Sequence, residues 1–558
     1  MAEQQLRVGI LCDGLVFQRW QADAILDVIQ VPGVVPVGLL VNGAPARPVR
    51  SLHSLLYRQY RRRLFKPKAM ELVDLTAALG DWPKLVCTPA VSGPVHRFSE
   101  ADITRVHQLR PDVLLRFGFN ILRGPILDLP THGVWSFHHG DEEKYRGGPP
   151  GFWEIMDGDP VTGAILQRLT EKLDAGRILQ KGWFRTVDHS LEETVDTVLT
   201  ASSGWPAKVC RAILRGEERA ASGVESTTHA PIRRYPGNFT FLRFIRKQAK
   251  NKLQFHRQQL NAHEEWNIGI LPQPIQTLLK EEHSLNVRWL PPPAVGTYRA
   301  DPFGYLGPDG QLNVLYEKYD YTTGTGAIHR VRPKADNILK RSRCMLGGDD
   351  AHRSYPYTFE HEGQIYCVPE SAATGRVTLH RVNATNDALE EVADLLDEPL
   401  YDPTLFLHEG HWWLFGTRAP WTNVTLEAYH APALLGPYAP HLLNPIKQDI
   451  RNARPAGTPF LHEGALYRPA MDCARTYGGR VVINRILALD PFTFQESAVK
   501  HIGPIKGLYG EGLHTLSAVG GLTLLDGKRT VLAKAQRVRV QKRMKDRVTG
   551  GDKRKANT

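Results

Sequence analysis

The residues most suited to chemistry in this chain are two adjacent histidines that follow a short apolar segment. His138 and His139 come directly after residues 134–137, and Ser136 stands two positions before His138. Imidazole moves protons near neutral pH, because its ordinary pKa is about 6.5. The histidines therefore predict proton transfer at this strand end.

A carboxylate belongs to the same constellation. Asp174 lies in the tetrapeptide Leu173-Asp174-Ala175-Gly176, whose glycine predicts a turn. A carboxylate beside an imidazole fixes its tautomer and stabilises the imidazolium form. We therefore expect Asp174 to be the partner of His138. The loop carboxylates Asp141, Glu142 and Glu143 are either solvated or available to receive a cationic amine.

The elements around these residues predict an α/β domain with a doubly wound, Rossmann-like parallel sheet. Apolar segments at 6–11, 34–41, 112–117, 134–137 and 161–169 predict strands, and helical spacing predicts helices at 20–29, 99–109, 122–129 and 152–156. Ligands of such sheets bind at the carboxyl ends of the strands. Ser136 and His138 are predicted to lie there.

Residues 112–183 resemble the catalytic core of folate-dependent formyltransferases that act on methionyl-tRNA, glycinamide ribonucleotide or sugar amines. Four stretches match in order and spacing: Ser136-Phe137-His138, Lys144-Tyr145-Arg146-Gly147, Thr162-Gly163 and Leu173-Asp174-Ala175-Gly176.

The resemblance implies 10-formyltetrahydrofolate as cofactor, with Gly118, Phe119 and Asn120 in the cofactor site. It assigns catalysis to His138, Asp174 and Ser136. Ser136 replaces the family's asparagine, whose carboxamide donates to the oxyanion. His139 or a backbone N–H is an alternative donor, and a different reaction is the other alternative.

The C-terminal half repeats a Pro-containing segment followed by a turn glycine. The glycines stand at 310, 363, 410, 464 and 521. Short strands repeating about every 50 residues are typical of a β-propeller. We therefore predict five four-stranded blades, whose first strands direct Asp301, Asp402, Arg299 and His514 to a common axis. The rim candidates are Glu317, Glu370, Asp472 and Glu511.

The ADPF, YPY…PES, LFG and RNARPAG stretches resemble the five-bladed propellers of furanosidase-type glycoside hydrolases. They also resemble the propeller attached to plant glucosaminyl-inositolphosphorylceramide transferases. The resemblance implies Asp301, Glu317, Glu370 and Asp402 as substrate-binding residues for a glycan. Hydrolysis by Asp301 with Glu370 or Glu511, and a purely structural role, are the alternatives.

The bulk properties predict four segments: 1–215, a linker at 216–265, the propeller at 266–530 and a basic tail at 531–558. The linker contains a basic helix at 239–260 with Leu242, Ile245, Ala249 and Leu253 on one stripe. This helix either bridges the domains or lies on a membrane surface.

The formal charge of +12 does not predict a nucleic-acid site. Residues 528–558 hold twelve Lys or Arg against two Asp, which is 12 − 2 = +10, so the rest carries about +2. Such a tail is typical of a solvated end. Six scattered cysteines and no recognisable signal peptide predict a cytoplasmic protein without a metal site.

Together these features predict a transferase that moves a formyl group to an amine on an amino-sugar or glycolipid acceptor, with peripheral membrane contact as an additional expectation. The alternatives are a propeller-centred glycosidase or glycosyltransferase with a degenerate first domain, and a non-catalytic glycan-binding protein.

Overall fold

The computed structural model describes residues 4–44, 52–173, 176–217, 222–280, 285–333, 342–348, 351–383 and 388–532. The chain divides into two compact units, Met1–Lys252 and Leu253–Thr558. They are called the first and the second unit below, and each is described by itself.

The first unit is built on an eight-stranded mixed sheet. In spatial order its strands are Val224–Glu225, Arg177–Arg185, Val161–Arg168, Val134–His138, Val113–Arg116, Leu6–Cys12, Val34–Asn42 and Lys84–Cys87. The five strands from Val134–His138 onward are parallel, as predicted for an α/β fold, whereas the other three are antiparallel. The prediction of a purely parallel sheet is therefore correct for one half only.

Helices and three small sheets surround this sheet. The helices are Arg19–Ile29, Leu55–Arg63, Thr76–Leu79, Glu100–Gln108, Phe152–Asp157, Leu191–Ser202, Trp205–Leu214 and Asn238–Asn261, the last continuing into the second unit. The small sheets pair Val16–Gln18 with Leu72–Asp74, Ala90–Ser92 with Val95–Arg97 and Ile121–Arg123, and Arg146–Gly147 with Ile232–Arg233. Among the described residues no helix has the length and apolar character needed to cross a membrane.

The helix predicted at 122–129 is wrong. Ile121–Arg123 is a strand paired with Val95–Arg97, and a single 3₁₀ turn follows at Pro125–Leu127. Gly124 has a φ of 84°, a left-handed value that favours glycine, and Pro125 cannot donate to a preceding turn. These two residues end any helix there, and apolar spacing alone does not reveal it.

The basic helix Asn238–Asn261 packs on the first unit through a face that its apolar stripe does not predict. Phe241 and Phe244 are buried in one core cluster with Tyr57 and Phe152. The stripe residues Leu242, Ile245 and Leu253 are exposed instead. In this cluster the ring of Phe244 stacks on that of Phe152, with ring centroids 4.4 Å apart. The predicted linker therefore contributes core residues to the first unit.

The second unit consists of five antiparallel sheets. Sheet 1 is Thr297–Leu306, Leu312–Asp320, Thr325–Val331 and Arg343–Leu346; sheet 2 is Ser354–His361, Gln364–Glu370, Val377–Asn383 and Ala388–Leu396; sheet 3 is Tyr401–His408, His411–Thr417, Thr425–Ala431 and Ala439–Pro440, with Lys447–Gln448 at its side. Sheet 4 is Phe460–His462, Ala465–Asp472, Arg480–Leu489 and Phe494–Ile502; sheet 5 is Leu516–Val519, Leu522–Leu532, Ala262–Leu271 and Arg288–Trp289. Each predicted repeat coincides with one sheet, and their assembly as propeller blades stays a prediction.

Sheet 5 joins the two ends of the second unit. Ala262–Leu271 pairs along its whole length with Leu522–Leu532, from Ala262 opposite Leu532 to Leu271 opposite Thr523. The predicted boundaries at 266 and 530 would cut this strand pair. The ordered sheet therefore begins before residue 266 and ends after residue 530, because the hydrogen-bonded ladder extends over both boundaries.

Equivalent residues of the first three sheets adopt the same unusual backbone. Asp301, Tyr355 and Asp402 have φ values of 52°, 42° and 50°, and each immediately precedes a proline. Each lies at a β-bulge in the first strand of its sheet. Left-handed backbone at non-glycine residues costs on the order of 1–3 kcal/mol and clusters at functional sites. The repeat thus places three strained residues at equivalent positions.

Candidate functional site

His138 ends a buried strand at the carboxyl edge of the sheet, as predicted. Side chains of a strand alternate between faces, so Ser136 and His138 lie on the same face. His138 is buried, and its Nε2 lies 2.8 Å from the carbonyl oxygen of Tyr145. Because a carbonyl only accepts, Nε2 carries the proton in this contact. Nδ1 is then the basic nitrogen of the ring.

The Ser136 hydroxyl is already hydrogen-bonded to the side chain of Arg116. The Oγ of Ser136 accepts from Nε and Nη2 of Arg116 at 3.1 and 2.7 Å. Arg116 ends the adjacent parallel strand Val113–Arg116, which brings its side chain to the same face. The guanidinium therefore stands beside the position that the resemblance assigns to an amide donor. The Ser136 hydroxyl also donates to the Phe137 carbonyl at 3.3 Å, and its role as an oxyanion donor stays a prediction.

The three predicted cofactor residues have packing and hydrogen-bonding roles in this structure. A Cβ on Gly118 would lie 2.4 Å from the backbone carbon of Cys12, so only glycine allows this close approach of two strand ends. Nη1 of Arg116 donates to the carbonyl oxygens of Phe119 and Asn120 at 3.4 and 3.2 Å. These carbonyls are thus already satisfied by the chain itself.

A small cavity lies against Ser136. Its volume is about 40 Å³, and its lining includes Arg116, Ser136, Gln167 and Leu173. Ligand pockets for drug-sized molecules usually enclose roughly 300–1,000 Å³. The described walls therefore hold a few water-sized groups, and a larger ligand requires Arg116 to move.

Asp174 lies outside the described residues, so its predicted pairing with His138 stays a prediction. The chain on either side of it is fixed in place. Arg146 donates from Nη2 to the carbonyl oxygen of Leu173, and the backbone N–H of Gly176 donates to Oε1 of Gln167 at 3.0 Å.

His139 packs among aromatic side chains, and its role as an alternative oxyanion donor stays a prediction. Its ring stacks on Phe137 with centroids 5.5 Å apart and lies edge-on to Trp20. Nε2 of His139 is 3.3 Å from the Ser202 hydroxyl. Burial lowers the pKa of His139 to about 3, so the ring is neutral near pH 7.

The predicted loop carboxylates surround a lysine that the sequence pattern did not single out. Nζ of Lys181 lies 3.3, 2.9 and 3.5 Å from carboxylate oxygens of Asp141, Glu142 and Glu143. Nearby Glu154 is buried, and burial raises its pKa to about 8. The single charge of Lys181 offsets only part of the acidic loop, and Oε2 of Glu142 is buried without a hydrogen-bond donor among the described residues, so a role of the loop in receiving a cationic amine stays a prediction.

In the second unit Asp301 joins sheets 5, 1 and 2. Its Oδ1 accepts from the Thr515 hydroxyl at 2.9 Å, and its Oδ2 accepts from the backbone N–H of Tyr355 at 3.3 Å. Nε2 of His514 lies 3.3 Å from Oδ1. Asp301 lies at a convergence of strands, as predicted, but both of its oxygens are used within the protein.

His514 bridges two carboxylates. Its Nδ1 lies 2.7 Å from Oδ2 of Asp526, which also accepts the backbone N–H of Asp301. Burial lowers the pKa of His514, but Asp526 and then Asp301 outweigh it, and the net pKa lies above 6.5. Burial raises the pKa of Asp301 to about 6, although His514 opposes this shift.

Ligand atoms of Asp301, His514 and Asp526 all lie within 4.8 Å of one another, a spacing that could hold a metal ion. The hydrogen bonds above account for the cluster without one.

Asp402 is held by an arginine from the segment before sheet 4. Nε and Nη2 of Arg454 donate to the two oxygens of Asp402 at 2.5 and 3.1 Å. The guanidinium also lies over the ring of Tyr477, 5.3 Å from its centroid. Asp402 and Arg454 thus form a buried, bidentate ion pair that uses both carboxylate oxygens of Asp402.

Glu317 and Glu370 differ from these aspartates because a histidine reaches them from the surface. Nε2 of His352 lies 3.6 Å from Oε1 of Glu317 and 4.0 Å from Oε2 of Glu370, and its side chain is 39% exposed. Glu370 accepts from the Ser354 hydroxyl and the backbone N–H of Ala372 at 2.6 and 2.8 Å.

Oε1 of Glu317 is buried and has no hydrogen-bond donor among the described residues. Burial raises the pKa of Glu317 well above its ordinary value, with Asp301 and Glu370 adding to the shift.

Three further candidates lie elsewhere. Nη1 of Arg299 donates to the Pro291 carbonyl and to Oδ1 of Asn267 at 2.8 and 3.3 Å. Asp472 accepts from Nε of Arg480, and Glu511 is exposed and accepts from the Thr530 hydroxyl. A shared axis for Arg299 and Asp301 stays a prediction, and the bulge between Ala300 and Phe303 interrupts the alternation of side chains there.

Comparison with known proteins connects the second unit to plant enzymes. Residues 293–506 match a family described as glucosamine inositolphosphorylceramide transferase 1, N-terminal. A rice protein (Oryza sativa subsp. japonica) named glucosamine inositolphosphorylceramide transferase 1 is 34% identical over 209 residues, which is 36% of this chain and 28% of that protein. The chain thus spans just over a quarter of the length of this curated relative.

The N-terminal region resembles a different class of transferase. Methionyl-tRNA formyltransferase of Halalkalibacterium halodurans is 32% identical over 120 residues, covering 21% of this chain and 38% of that enzyme. Among solved structures, a family 117 glycoside hydrolase of Zobellia galactanivorans covers 48% of this chain and 91% of its own, at 13% identity and a TM-score of 0.31. The sequence relatives of both regions are transferases, which supports a transferase.

Proposed function

We propose that the chain transfers a formyl group from 10-formyltetrahydrofolate to an amine on a sugar-containing acceptor. The observation that carries the proposal is the pair formed by His138 and the Arg116–Ser136 contact. Both lie at the carboxyl ends of adjacent parallel strands, on the sheet edge where α/β proteins bind ligands. The similarity to methionyl-tRNA formyltransferase supports the same assignment for this region.

In this proposal the amine forms the new N–C bond, the bond between the formyl carbon and N10 of the folate breaks, and tetrahydrofolate leaves; His138 takes the proton that the amine releases and returns it to N10. The contact of Nε2 with the Tyr145 carbonyl fixes the tautomer, so Nδ1 is the accepting atom. Arg116 replaces the family's amide donor and stabilises the oxyanion with a charged N–H group, and Ser136 orients it. Charge-assisted hydrogen bonds are roughly twice as strong as neutral ones, so this replacement preserves the required chemistry.

The proposed cofactor imposes a condition on the site. Backbone carbonyls of Phe119 and Asn120 and the amide of Gln167 are groups that a pterin ring can pair with, and the first two now accept from Arg116. The cavity of about 40 Å³ is too small for that ring. Cofactor binding at this place therefore requires Nη1 of Arg116 to release the two carbonyls. Once bound, 10-formyltetrahydrofolate would supply the formyl group.

We further propose that the second unit is a five-bladed propeller that recognises the glycan of the acceptor. Its five sheets in chain order and the closure of sheet 5 by both ends support this. Glu317 supports recognition of hydroxyl or amino groups, because its buried Oε1 lacks a donor in the described chain. We therefore propose an amino sugar, free or as part of a glycolipid, as the acceptor class. It provides the amine for the first unit and the glycan for the second, and it agrees with the name of the plant relatives.

The proposal is tested by incubating the full chain with 10-formyltetrahydrofolate and a panel of amino sugars and their nucleotide or lipid conjugates. Formylated product is measured by mass spectrometry. His138→Ala should lower kcat by about 10²–10⁴-fold, the usual contribution of general acid–base catalysis. His107→Ala, on the exposed face of Glu100–Gln108, is the matched control and should be fully active. Near-normal turnover by His138→Ala contradicts the mechanism.

The role of Arg116 is tested by a pair of variants. Arg116→Gln should lower kcat, whereas the double variant Arg116→Ala with Ser136→Asn restores the family's amide and should regain part of it. A substitution series in which Ser136→Ala and Arg116→Gln leave kcat unchanged would show that neither residue serves the oxyanion. Sugar binding without any formyl transfer by the unmodified chain would favour the glycan-binding alternative, which Glu317 alone supports.

A further inference from the structure

We propose that the first unit carries a surface that binds anionic lipid membranes. The surface, called the basic–apolar face below, is formed by residues 52–68 and 238–252. It is separate from the His138 site and does not depend on the proposed reaction.

The apolar component is a row of exposed side chains on the helix Asn238–Asn261. Phe239, Leu242 and Ile245 follow one another at a spacing of three residues and are 75%, 56% and 38% exposed. The core-facing side of the same helix is occupied by Phe241 and Phe244. The described chain therefore buries one apolar side of the helix and leaves a second apolar side in contact with solvent.

A second segment extends this row. The side chain of Asn238 donates to the carbonyl oxygen of Leu52 at 2.8 Å and accepts from the backbone N–H of Leu56 at 3.0 Å. Leu52 is 81% exposed and Leu56 is 39% exposed. Because Phe239 follows Asn238 directly, the exposed apolar side chains of both segments are neighbours. Contiguous exposed apolar groups of this kind mark interaction sites.

The charge of the face selects an anionic partner. Neither range contains Asp or Glu, and together they hold eleven basic residues: Arg58, Arg61, Arg62, Arg63, Lys66, Lys68, Arg243, Arg246, Lys247, Lys250 and Lys252. On the helical wheel Arg243, Arg246 and Lys250 flank the exposed row on the side away from Phe241 and Phe244. Basic residues beside an exposed apolar stripe are the pattern of helices that lie in a membrane interface.

A depression beside the helix Leu55–Arg63 offers room for a lipid headgroup. Its volume is about 670 Å³, and its lining includes Arg61, Arg62, Phe65 and Lys66 together with one carboxylate, that of Glu71. Arginine and lysine together with an aromatic side chain suit a phosphate attached to an apolar tail. A nucleic acid would use the same cations but would gain nothing from Phe239, Leu242 and Ile245, and this difference favours the membrane.

The experiment is vesicle co-sedimentation of the full chain with liposomes of phosphatidylcholine alone or with 30 mol% phosphatidylserine. We expect binding to the anionic vesicles that is at least tenfold stronger than to neutral ones and that weakens with added salt. Leu242→Gln with Ile245→Gln should reduce binding at low salt, and Arg246→Glu with Lys250→Glu should abolish the anionic preference. Circular dichroism and thermal unfolding verify that these exposed substitutions leave the fold intact.

Two controls separate the face from other sources of binding. Leu487→Gln with Arg485→Glu makes the same kinds of change on exposed residues of Arg480–Leu489 and should leave binding unchanged. A chain ending at residue 532 lacks the basic tail and should still bind. Three outcomes would overturn the proposal. The truncated chain could lose vesicle binding, or the face variants could bind vesicles as well as the parent does. The charge variant alone could also lose affinity for tRNA while its vesicle binding stays constant.

Discussion

The buried carboxylates of the second unit differ in whether their oxygens are already paired. Asp301 and Asp402 are each saturated by groups of the chain, namely Thr515 and Tyr355 for the first and Arg454 for the second. Oε1 of Glu317 has no hydrogen-bond donor among the described residues, and its charged neighbour is Nε2 of His352 at 3.6 Å. An unpaired buried acceptor costs about 1–3 kcal/mol, a cost that a ligand donor removes. Glu317 is therefore a better candidate than Asp301 for ligand recognition.

We predict that Glu317→Gln weakens amino-sugar binding by about tenfold or more, because the amide changes the hydrogen-bonding character of the buried group. Glu362→Gln, in an exposed hairpin turn, should have no effect. Isothermal titration calorimetry of both variants with amino sugars and their conjugates measures the difference. Identical affinities for the two variants would leave the second unit with a structural role only.

A second prediction at this scale concerns the His514–Asp526 pair and pH. His514 has a pKa raised above 6.5 in the folded state. Its stabilising contribution is therefore complete below about pH 6.5 and is lost as pH rises through the raised pKa. Asp526→Asn should lower the free energy of unfolding by about 3–5 kcal/mol, as expected on breaking a buried pair. It should also flatten the loss of stability above pH 6.5.

Urea unfolding across a pH series measures both effects. Asp394→Asn is the control, because Asp394 forms an exposed pair with Arg376, and such pairs contribute about 0–1 kcal/mol. An Asp526→Asn protein as stable as the parent, with the same pH profile, would show that the pair contributes nothing.

Residue types in a pattern identified His138 and the convergence of Asp301 with His514, but not the partners of these residues. Arg116 is a charged residue at the end of an apolar strand. This feature is visible in the sequence and could have identified Arg116 as a site residue. Lys181 lies on an antiparallel strand, and the sequence does not specify the register of that strand. Hydrogen-bond partners far apart in the chain depend on register and bulges, and apolar spacing is insensitive to both.

At the scale of elements, the hairpins of sheets 2, 3 and 4 share a strained turn. Glu362, Glu409 and Glu463 have φ values of 50°, 48° and 49°, and a glycine with positive φ follows each. Two successive left-handed residues are the geometry of a type I′ turn, which favours Asn-Gly. The turn glycines that revealed the repeat are therefore required by backbone conformation.

We predict that Glu409→Asn raises the stability of the second unit by roughly 0.5–1 kcal/mol, because asparagine tolerates left-handed backbone better than glutamate. Differential scanning calorimetry should show a higher Tm. Asp309→Asn, in the hairpin of sheet 1 where the corresponding residue lacks a positive φ, is the control without expected gain. A lower Tm for Glu409→Asn would mean that contacts of the glutamate outweigh the backbone strain.

Apolar segments and turn signals predicted five strands of the eight-stranded sheet and the repeat of the second unit, because burial on a pleated surface determines strands. They failed where two physical rules competed. Residues 122–129 have helical spacing, but Gly124 and Pro125 end the helix. The helix Asn238–Asn261 has two apolar sides. The side with Phe241 and Phe244 is buried, and the side with Phe239, Leu242 and Ile245 is exposed.

For the whole molecule, the pairing of Ala262–Leu271 with Leu522–Leu532 makes the second unit dependent on segments from both of its ends. We predict that residues 253–532 fold when expressed alone, whereas residues 272–532 do not. The shorter chain leaves Leu522–Leu532 with an open edge and removes the buried residues Trp266 and Ile268. Circular dichroism and thermal unfolding of the two fragments distinguish these outcomes, and a cooperative transition in the shorter fragment would contradict the prediction.

The same strand pair sets an order of events during synthesis on the ribosome. The first unit has all of its residues once Lys252 has been made, and it can fold while translation continues. Ala262–Leu271 emerges next but waits for its partner until residue 522 is polymerised. At 5–20 residues per second that wait lasts roughly 12–50 s. During that interval the nascent chain exposes an apolar strand without its mate, and chaperone binding there would protect it from aggregation.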